Sequence, residues 1–253
     1  MPLNSILVDI GNTSVDIKYD KKNFKFYKEN KNEIINLINS LESKKLIISS
    51  VNKKTFNMIT SYYKKKKYEI VVLDKDAMVN YAKDNNYDIP NLNILGPDLF
   101  CDLVACDLKN DYIIIDLGTV GKILVLNKER KFLGGIIIPG ITSFPKSVSD
   151  STDLDISELN AIDVDLLNYD TDKCVFSGCI NGTSSMLYDL VHRLIEKYKL
   201  INAKIVLCGG NSYFVEKTLK RFGLTNFEYN PKLVLVGLGK IYSSGGKNEI
   251  KKD

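Results

Sequence analysis

Two passages of this chain repeat one another. ILVDIGNTSVDIKY, beginning at Ile6, and YIIIDLGTVGKILVL, beginning at Tyr112, align Asp9 with Asp116 and Gly11 with Gly118. Each is an apolar run, stopped by Asp-x-Gly and a hydroxyl or amide residue, and followed by a second strand pattern. A repeat separated by this much chain is an internal duplication of a whole folding unit, not a short-period array. It restricts the fold to two related halves.

The first half reads as a β-meander followed by β/α alternation. Residues 3–10 form a strand, Ser14–Tyr19 a second, and the stretch around Phe24 and Phe26 a third after the turn Asp20-Lys21-Lys22-Asn23. Ile34, Ile35, Leu37, Ile38 and Leu41 recur at helical spacing, so 31–43 is expected to be a helix. Leu46–Val51 and Glu69–Leu73 read as buried strands with a helix at 53–66 between them, residues 85–97 as a loop, and Asp98–Leu108 as a helix. The second half repeats the scheme. Strands are expected at Tyr112–Asp116, Ile123–Leu126 and Phe132–Ile138, and a helix near 143–149. After an acidic loop come a long helix from about 178 to 198, a strand at Lys204–Leu207, and helices at 212–222 and 233–243. The expected architecture is α/β: two duplicated domains with mixed sheets. Their boundaries are set at 1–110 and 111–245, with 246–253 as a frayed tail.

Composition removes several classes of function. At 253 residues and 44% hydrophobic, the chain can bury a sizeable core. No apolar run approaches the roughly 20 residues of a membrane span, and Met1-Pro2-Leu3-Asn4-Ser5 lacks a basic signal-peptide region. The net charge of +4 rests almost wholly on lysine, with arginine only at Arg130, Arg193 and Arg221, so no nucleic-acid partner is expected. The Lys64–Lys67 cluster reads as a solvated helix end. Five cysteines without zinc-ligand spacing point to free thiols in a reducing cytoplasm. His192 is the single histidine, which removes His-based triads and multi-histidine metal sites.

The chemistry therefore concentrates in the repeated turns. A glycine after a buried strand lets backbone approach a phosphate closely, and the turn amides can point at it. Asn12 and Thr13 add neutral donors, and Asp9 can hold Mg²⁺ through water, since that ion prefers few carboxylates and several waters. One Asp-x-Gly turn is commonplace; two copies, each after a buried strand, point to phosphate binding. Cys208-Gly209-Gly210 closes a strand and precedes a helix, where glycines would admit a flat nucleoside or serve packing only. Asp98, after Gly96-Pro97 at a helix start, can accept or orient a hydroxyl proton, or simply cap the helix.

These motifs give the chain its resemblance to a known family. DIGNT (9–13), YDIP (87–90) with GPD (96–98), DLGT (116–119) and FLGGIIIPGI (132–141) occur in order. SG (177–178) with Gly182, GG (209–210) and LVLVGLGKIY (233–242) complete the set. The chain resembles type III pantothenate kinases, members of the acetate-and-sugar-kinase, Hsp70 and actin superfamily, and the resemblance implies two actin-like (ribonuclease H-like) domains with an interdomain cleft. The resemblance implies ATP-dependent phosphorylation of pantothenate to 4'-phosphopantothenate, the first step of coenzyme A biosynthesis. It places ATP on Asp9, Gly11, Asn12, Thr13, Asp16 and Thr119, with Gly209 and Gly210 beside the nucleotide. It makes Asp98 the proton acceptor and assigns pantothenate contacts to Tyr87, Gly96, Pro97, Leu99 and Thr171. It implies Mg²⁺ at Asp9 through water, K⁺ or NH4⁺ at Asp116, and a homodimer that completes part of the pantothenate pocket.

The departures from the family pattern lie on the substrate side. Leu99 stands where the family has arginine, Val120-Gly121-Lys122 replaces polar residues after DLGT, and Phe176 replaces a glutamine before Ser177-Gly178. A neutral leucine makes no charge-assisted bond to a carboxylate. Two further readings follow: a catalytically impaired nucleotide-binding regulator on the same fold, and a kinase of another small hydroxyl substrate. Retention of Asp9 and Asp98 favours an enzyme. Lys122 is the sharpest departure: its ammonium either replaces the free monovalent cation beside Asp116 or points to solvent.

Overall fold

A computed structural model describes residues 4–107, 109–156 and 158–243. Met1 to Leu3, Leu108 (the expected end of the 98–108 helix) and the tail from 244 onward lie outside the described residues.

The chain divides into two compact units, the first running to Asp107 and resuming at Lys232, the second running from Leu108 to Pro231. In the first unit the meander is β1 (Ile6–Ile10), β2 (Ser14–Tyr19) and β3 (Lys22–Tyr27). It is followed by α1 (Lys31–Ser40), β4 (Lys45–Ser50), α2 (Lys53–Lys65), β5 (Glu69–Val72), α3 (Lys75–Asp84) and α4 (Pro97–Ala105). The sheet order is β3-β2-β1-β4-β5, antiparallel across the meander and parallel from β1 outward.

The second unit holds β6 (Tyr112–Leu117), β7 (Val120–Leu126), β8 (Phe132–Pro139), α5 (Ser143–Asp150) and α6 (Thr171–Tyr198). β9 (Lys204–Cys208), α7 (Tyr213–Arg221) and β10 (Phe227–Tyr229) follow. Its order, β10-β9-β6-β7-β8, is that of the first sheet strand for strand, with the same pattern of parallel and antiparallel pairs. The duplication legible in sequence is thus a duplication of topology.

Alternation along β1 sorts its side chains between the two faces of the sheet. Ile6, Val8 and Ile10 join Val15, Ile17, Ile34, Ile38, Ile59 and Tyr63 in one core. Leu7 joins Phe100, Val104, Leu235 and Leu238 in the other. Asp9, two residues after Leu7, therefore lies on the face covered by α4. Asn52 and Asp74 start α2 and α3 by accepting the backbone N–H of Thr55 and Ala77 at 3.0 and 2.8 Å.

The main differences from the sequence reading are four. α3 fills a stretch to which no element was assigned, and β10 is an added edge strand. α6 begins at Thr171 rather than about 178, because Asp170 caps it by accepting the Lys173 N–H at 3.1 Å. Gly178 and Gly182 lie within that helix on its exposed face, while Phe176, Cys179, Ile180, Thr183, Leu187 and Val191 form a buried stripe opposite. Tertiary packing outweighs the helix penalty of the glycines, about 1 kcal/mol each.

The fourth difference concerns the last helix, which the sequence reading grouped with the second half. The last helix, α8 (Leu233–Ser243), belongs to the first unit. Gly237 lets it lie directly on the α4 backbone, where a β-carbon would come 2.8 Å from the Cys101 Cα. Lys240 Nζ donates to the carbonyls of Ala105 and Cys106, which close α4, and Tyr242 donates to Val72 at 3.1 Å. Among the described residues no helix is long and apolar enough to cross a membrane.

Candidate active site

The first repeated turn joins β1 to β2. Gly11 N–H donates to Ser14 at 2.9 Å, and a β-carbon on Gly11 would stand 3.2 Å from that same carbonyl. Asn12 and Thr13 are exposed at the tip. Their carbonyls are both taken by Lys28, the Asn12 carbonyl by its Nζ at 2.6 Å and the Thr13 carbonyl by its N–H at 3.0 Å. Behind the tip, Asp9 pairs across the strands with Asp16. Asp16 accepts a hydrogen bond from Lys232, the residue just before α8. That lysine offsets one of two facing carboxylates, which alone would repel.

α4 supplies the second group of residues. Gly96 is its N-cap and Pro97 its first residue, so Asp98 lies inside the first turn and is not the cap. A β-carbon on Gly96 would fall on the Asp98 carboxylate, so the glycine leaves room for that side chain to fold back. Asp102 follows four residues later on the same helical face and is fully buried. Cys101 marks where these carboxylates converge. Burial pushes its thiol well above the ordinary value, and the charges of Asp9, Asp102 and Asp98 push it further. One face of the first sheet thus gathers three carboxylates, of which two were expected from sequence. Asp102 had a signal that was not used: an acid four residues after Asp98 in an otherwise apolar helix.

Tyr87, Gly96, Pro97 and Leu99 belong to this unit too. The Tyr87 ring lies 6.3 Å from Tyr81, which meets Phe100 edge-on at 6.1 Å, so the YDIP loop packs against α4 through an aromatic chain. Leu99 is half-buried beside Asp98. Thr171 belongs to the second unit, exposed at the first position of α6.

The second repeated turn is one residue shorter. Gly118 N–H donates to Val120 at 3.2 Å, and Thr119 is exposed. The chain holds this turn from two sides. Asn211 donates its N–H to Leu117 at 2.8 Å and its side-chain amide to Gly118 at 2.9 Å. Gly140, at the end of FLGGIIIPG, admits the Thr119 carbonyl into the space a β-carbon would fill. Gly209, at φ +86°, likewise closes on Leu117, whose backbone N and C would lie 2.6 Å from a β-carbon, and on the Asp116 carboxylate. Gly210 is half-buried beside Gly209.

At the base of this turn Asp116 pairs across the strands with Lys122, and Lys122 Nζ stands 2.7 Å from Asp116 Oδ2. Their side chains are 13% and 7% exposed, so Lys122 does not point to solvent. Phe176 is buried in the core of the second unit. His192 lies on the exposed side of α6 with Nδ1 2.7 Å from the Tyr188 carbonyl, a local helical contact.

Comparison with known proteins places the fold first. A Campylobacter jejuni protein described as a Baf family transcriptional activator superposes with a TM-score of 0.59 at 19% identity, over 94% of this chain and 97% of that one. The pSK41 ParM protein in its apo form gives 0.50 at 11% identity, over 95% and 98%. These likenesses concern architecture alone: two mixed sheets with helices, in the actin-like α/β class. Sequence narrows this. The chain matches the type III pantothenate kinase family over residues 5–193 and belongs to it. The type III pantothenate kinase of Thermosipho africanus is 28% identical over 256 residues, covering 94% of this chain and 98% of the relative. That of Borreliella burgdorferi is 25% identical over 264 residues, covering 93% of each.

Proposed function

We propose that this protein transfers the γ-phosphoryl group of ATP to the primary hydroxyl of pantothenate, yielding 4'-phosphopantothenate and ADP. Membership of the family carries the reaction class and the substrates. One observation supports the residue assignment: α4, which carries Asp98, packs on the sheet face that also carries Asp9, and both charges raise the Cys101 thiol.

In this reading the pantothenate hydroxyl gives its proton to Asp98 while its oxygen attacks the γ-phosphorus. A new O–P bond forms, the bond to the β,γ-bridging oxygen breaks, and ADP leaves. Such a transfer depends on positioning and charge neutralisation more than on covalent help. The Asp9–Asp16 turn takes phosphate through its amides and through Asn12 and Thr13, and Thr119 does so on the second turn. Gly210 leaves room for the nucleoside. Tyr87, Gly96, Pro97, Leu99 and Thr171 contact pantothenate. The donor set at Asp9 fits Mg²⁺, an oxygen-ligand site in which Asp16 is already offset by Lys232. When bound there, Mg²⁺ neutralises phosphate charge.

A free K⁺ or NH4⁺ at Asp116, implied by the family resemblance, does not fit these residues. Lys122 already neutralises the Asp116 carboxylate, and a dissolved cation there would meet that ammonium's charge.

The homodimer belongs to the same reading. The second unit exposes Ile137 on edge strand β8, with Leu166, Leu167 and Tyr169 ahead of α6, apolar surface that a second copy would cover. Five free cysteines, four of them buried, suit a reducing cytoplasm. The deciding experiment is a coupled ADP-release assay with pantothenate and a panel of small alcohols. Turnover with pantothenate is expected; turnover with another alcohol but not with pantothenate would reassign the substrate.

A further inference from the structure

We infer that Lys122 is a tethered monovalent cation: its ammonium occupies the place at Asp116 that a dissolved K⁺ or NH4⁺ would otherwise take. The inference rests on the pantothenate kinase reading for its substrate, but its first readout does not.

The argument begins with the duplication. The cross-strand partner of the aspartate behind each turn is Asp16 in the first copy and Lys122 in the second. In the first copy the carboxylate at that place draws in a lysine from a distant point of the chain, Lys232. In the second copy the strand itself supplies the cation. Lys122 Nζ lies 2.7 Å from Asp116 Oδ2, the short distance of a charge-assisted bond, with both side chains largely withdrawn from water.

Charge makes the occupancy exclusive: Lys122 already neutralises the Asp116 carboxylate. A dissolved cation would bring a second positive charge against Lys122 in a poorly hydrated place, where repulsion is strong. An ammonium on a side chain carries the same unit charge as the free ion and donates up to three hydrogen bonds. Being tethered, it needs no ion in solution and gives up no translational freedom on arrival. Lys122 acts here as a positioning residue. It holds Asp116 and places a fixed positive charge at the base of the turn on which Thr119 meets phosphate.

The test compares ATP affinity, by calorimetry, and turnover with pantothenate in potassium chloride and in tetramethylammonium chloride at matched ionic strength. For the wild-type protein both are expected to agree within about twofold, since matched salts screen exposed charges alike. Lys122→Thr removes the ammonium and leaves room for an ion. In tetramethylammonium it is expected to bind ATP roughly 10-fold more weakly, for the loss of one fixed positive charge near the phosphates, and to recover in potassium or ammonium. A lysine serving only to hold the strands would leave Lys122→Thr equally impaired in every salt. That outcome overturns the inference, as does a wild-type protein that binds ATP weakly until potassium is added. Should Lys122→Thr fail to fold, the wild-type comparison still decides. Cation-independent ATP binding without turnover on pantothenate would count against the substrate reading alone. Potassium-dependent binding with turnover would count against Lys122 alone.

Discussion

Gly237→Ala tests how the last helix is held, because two effects of opposite sign meet at one atom. In an isolated helix the change would stabilise by about 1 kcal/mol. Here the added methyl would stand 2.5 Å from the Cys101 carbonyl carbon and 2.8 Å from its Cα. Carbon pairs settle at about 3.5–4.0 Å, so α8 must lift from α4 by roughly 1 Å. The obstacle is backbone on both helices, so no rotamer change relieves it. Leu235, Leu238 and Ile241 are 1%, 0% and 6% exposed, and burial of each contributes about 1.5–3 kcal/mol. A 1 Å gap forfeits roughly a quarter to a half of the contact energy, so the three together lose about 1–4.5 kcal/mol. Less the helix gain, the net loss is roughly 0–3.5 kcal/mol, or up to about 14 °C in Tm for a chain near this size. Gly178→Ala is the matched control, since a β-carbon there meets nothing within 4 Å on the exposed side of α6. It should raise Tm by about 2–4 °C. Thermal melting by circular dichroism, with urea midpoints alongside, reads both. A Gly237→Ala protein melting above wild type would refute the backbone contact as the anchor of α8.

Asp98→Asn should lower turnover by roughly 10²–10⁴-fold, the range for a positioned proton acceptor. Calorimetric ATP affinity should be unchanged, and an active variant would leave Asp98 only a place in the helix. Leu99→Arg restores a cation next to Asp98. If the pantothenate carboxylate is under-recognised, KM should fall by about 10- to 150-fold, one hydrogen bond to a charged group; a KM that stays level or rises would show that another group already binds it. Thiol accessibility offers a test independent of substrate. Burial holds Cys101 well above its ordinary value and pushes Cys179 up to about 11, whereas Cys174 is exposed. At pH 8 both buried groups stay protonated, so a disulfide reagent should label Cys174 alone in the native protein; rapid labelling of a second cysteine would contradict the burial.

Much of the arrangement was open to reading without coordinates, because it rests on local rules. Alternating apolar residues before Asp-x-Gly, occurring twice, specified two strand–turn–strand units, and topology followed from their repetition. Gly96-Pro97-Asp98 announced the start of α4, since proline has its preferred place in the first helical turn. Local rules misplaced the start of α6: the sequence reading began it near 178, whereas Asp170 caps it at Thr171.

Three features depended on residues far apart in the chain. Asp102 looks like an ordinary helical acid until β1 brings Asp9 against the same face of α4. Lys122 looks like a strand lysine facing water until antiparallel register sets it on Asp116, a pairing decided by a turn one residue shorter than its twin. The LVLVGLGKIY helix is helical by its own composition, but nothing local says which unit it joins. That was decided by the fit of Gly237 to the backbone of α4, a contact between residues more than a hundred positions apart whose strength comes from excluded volume and burial, quantities that exist only once the chain has folded.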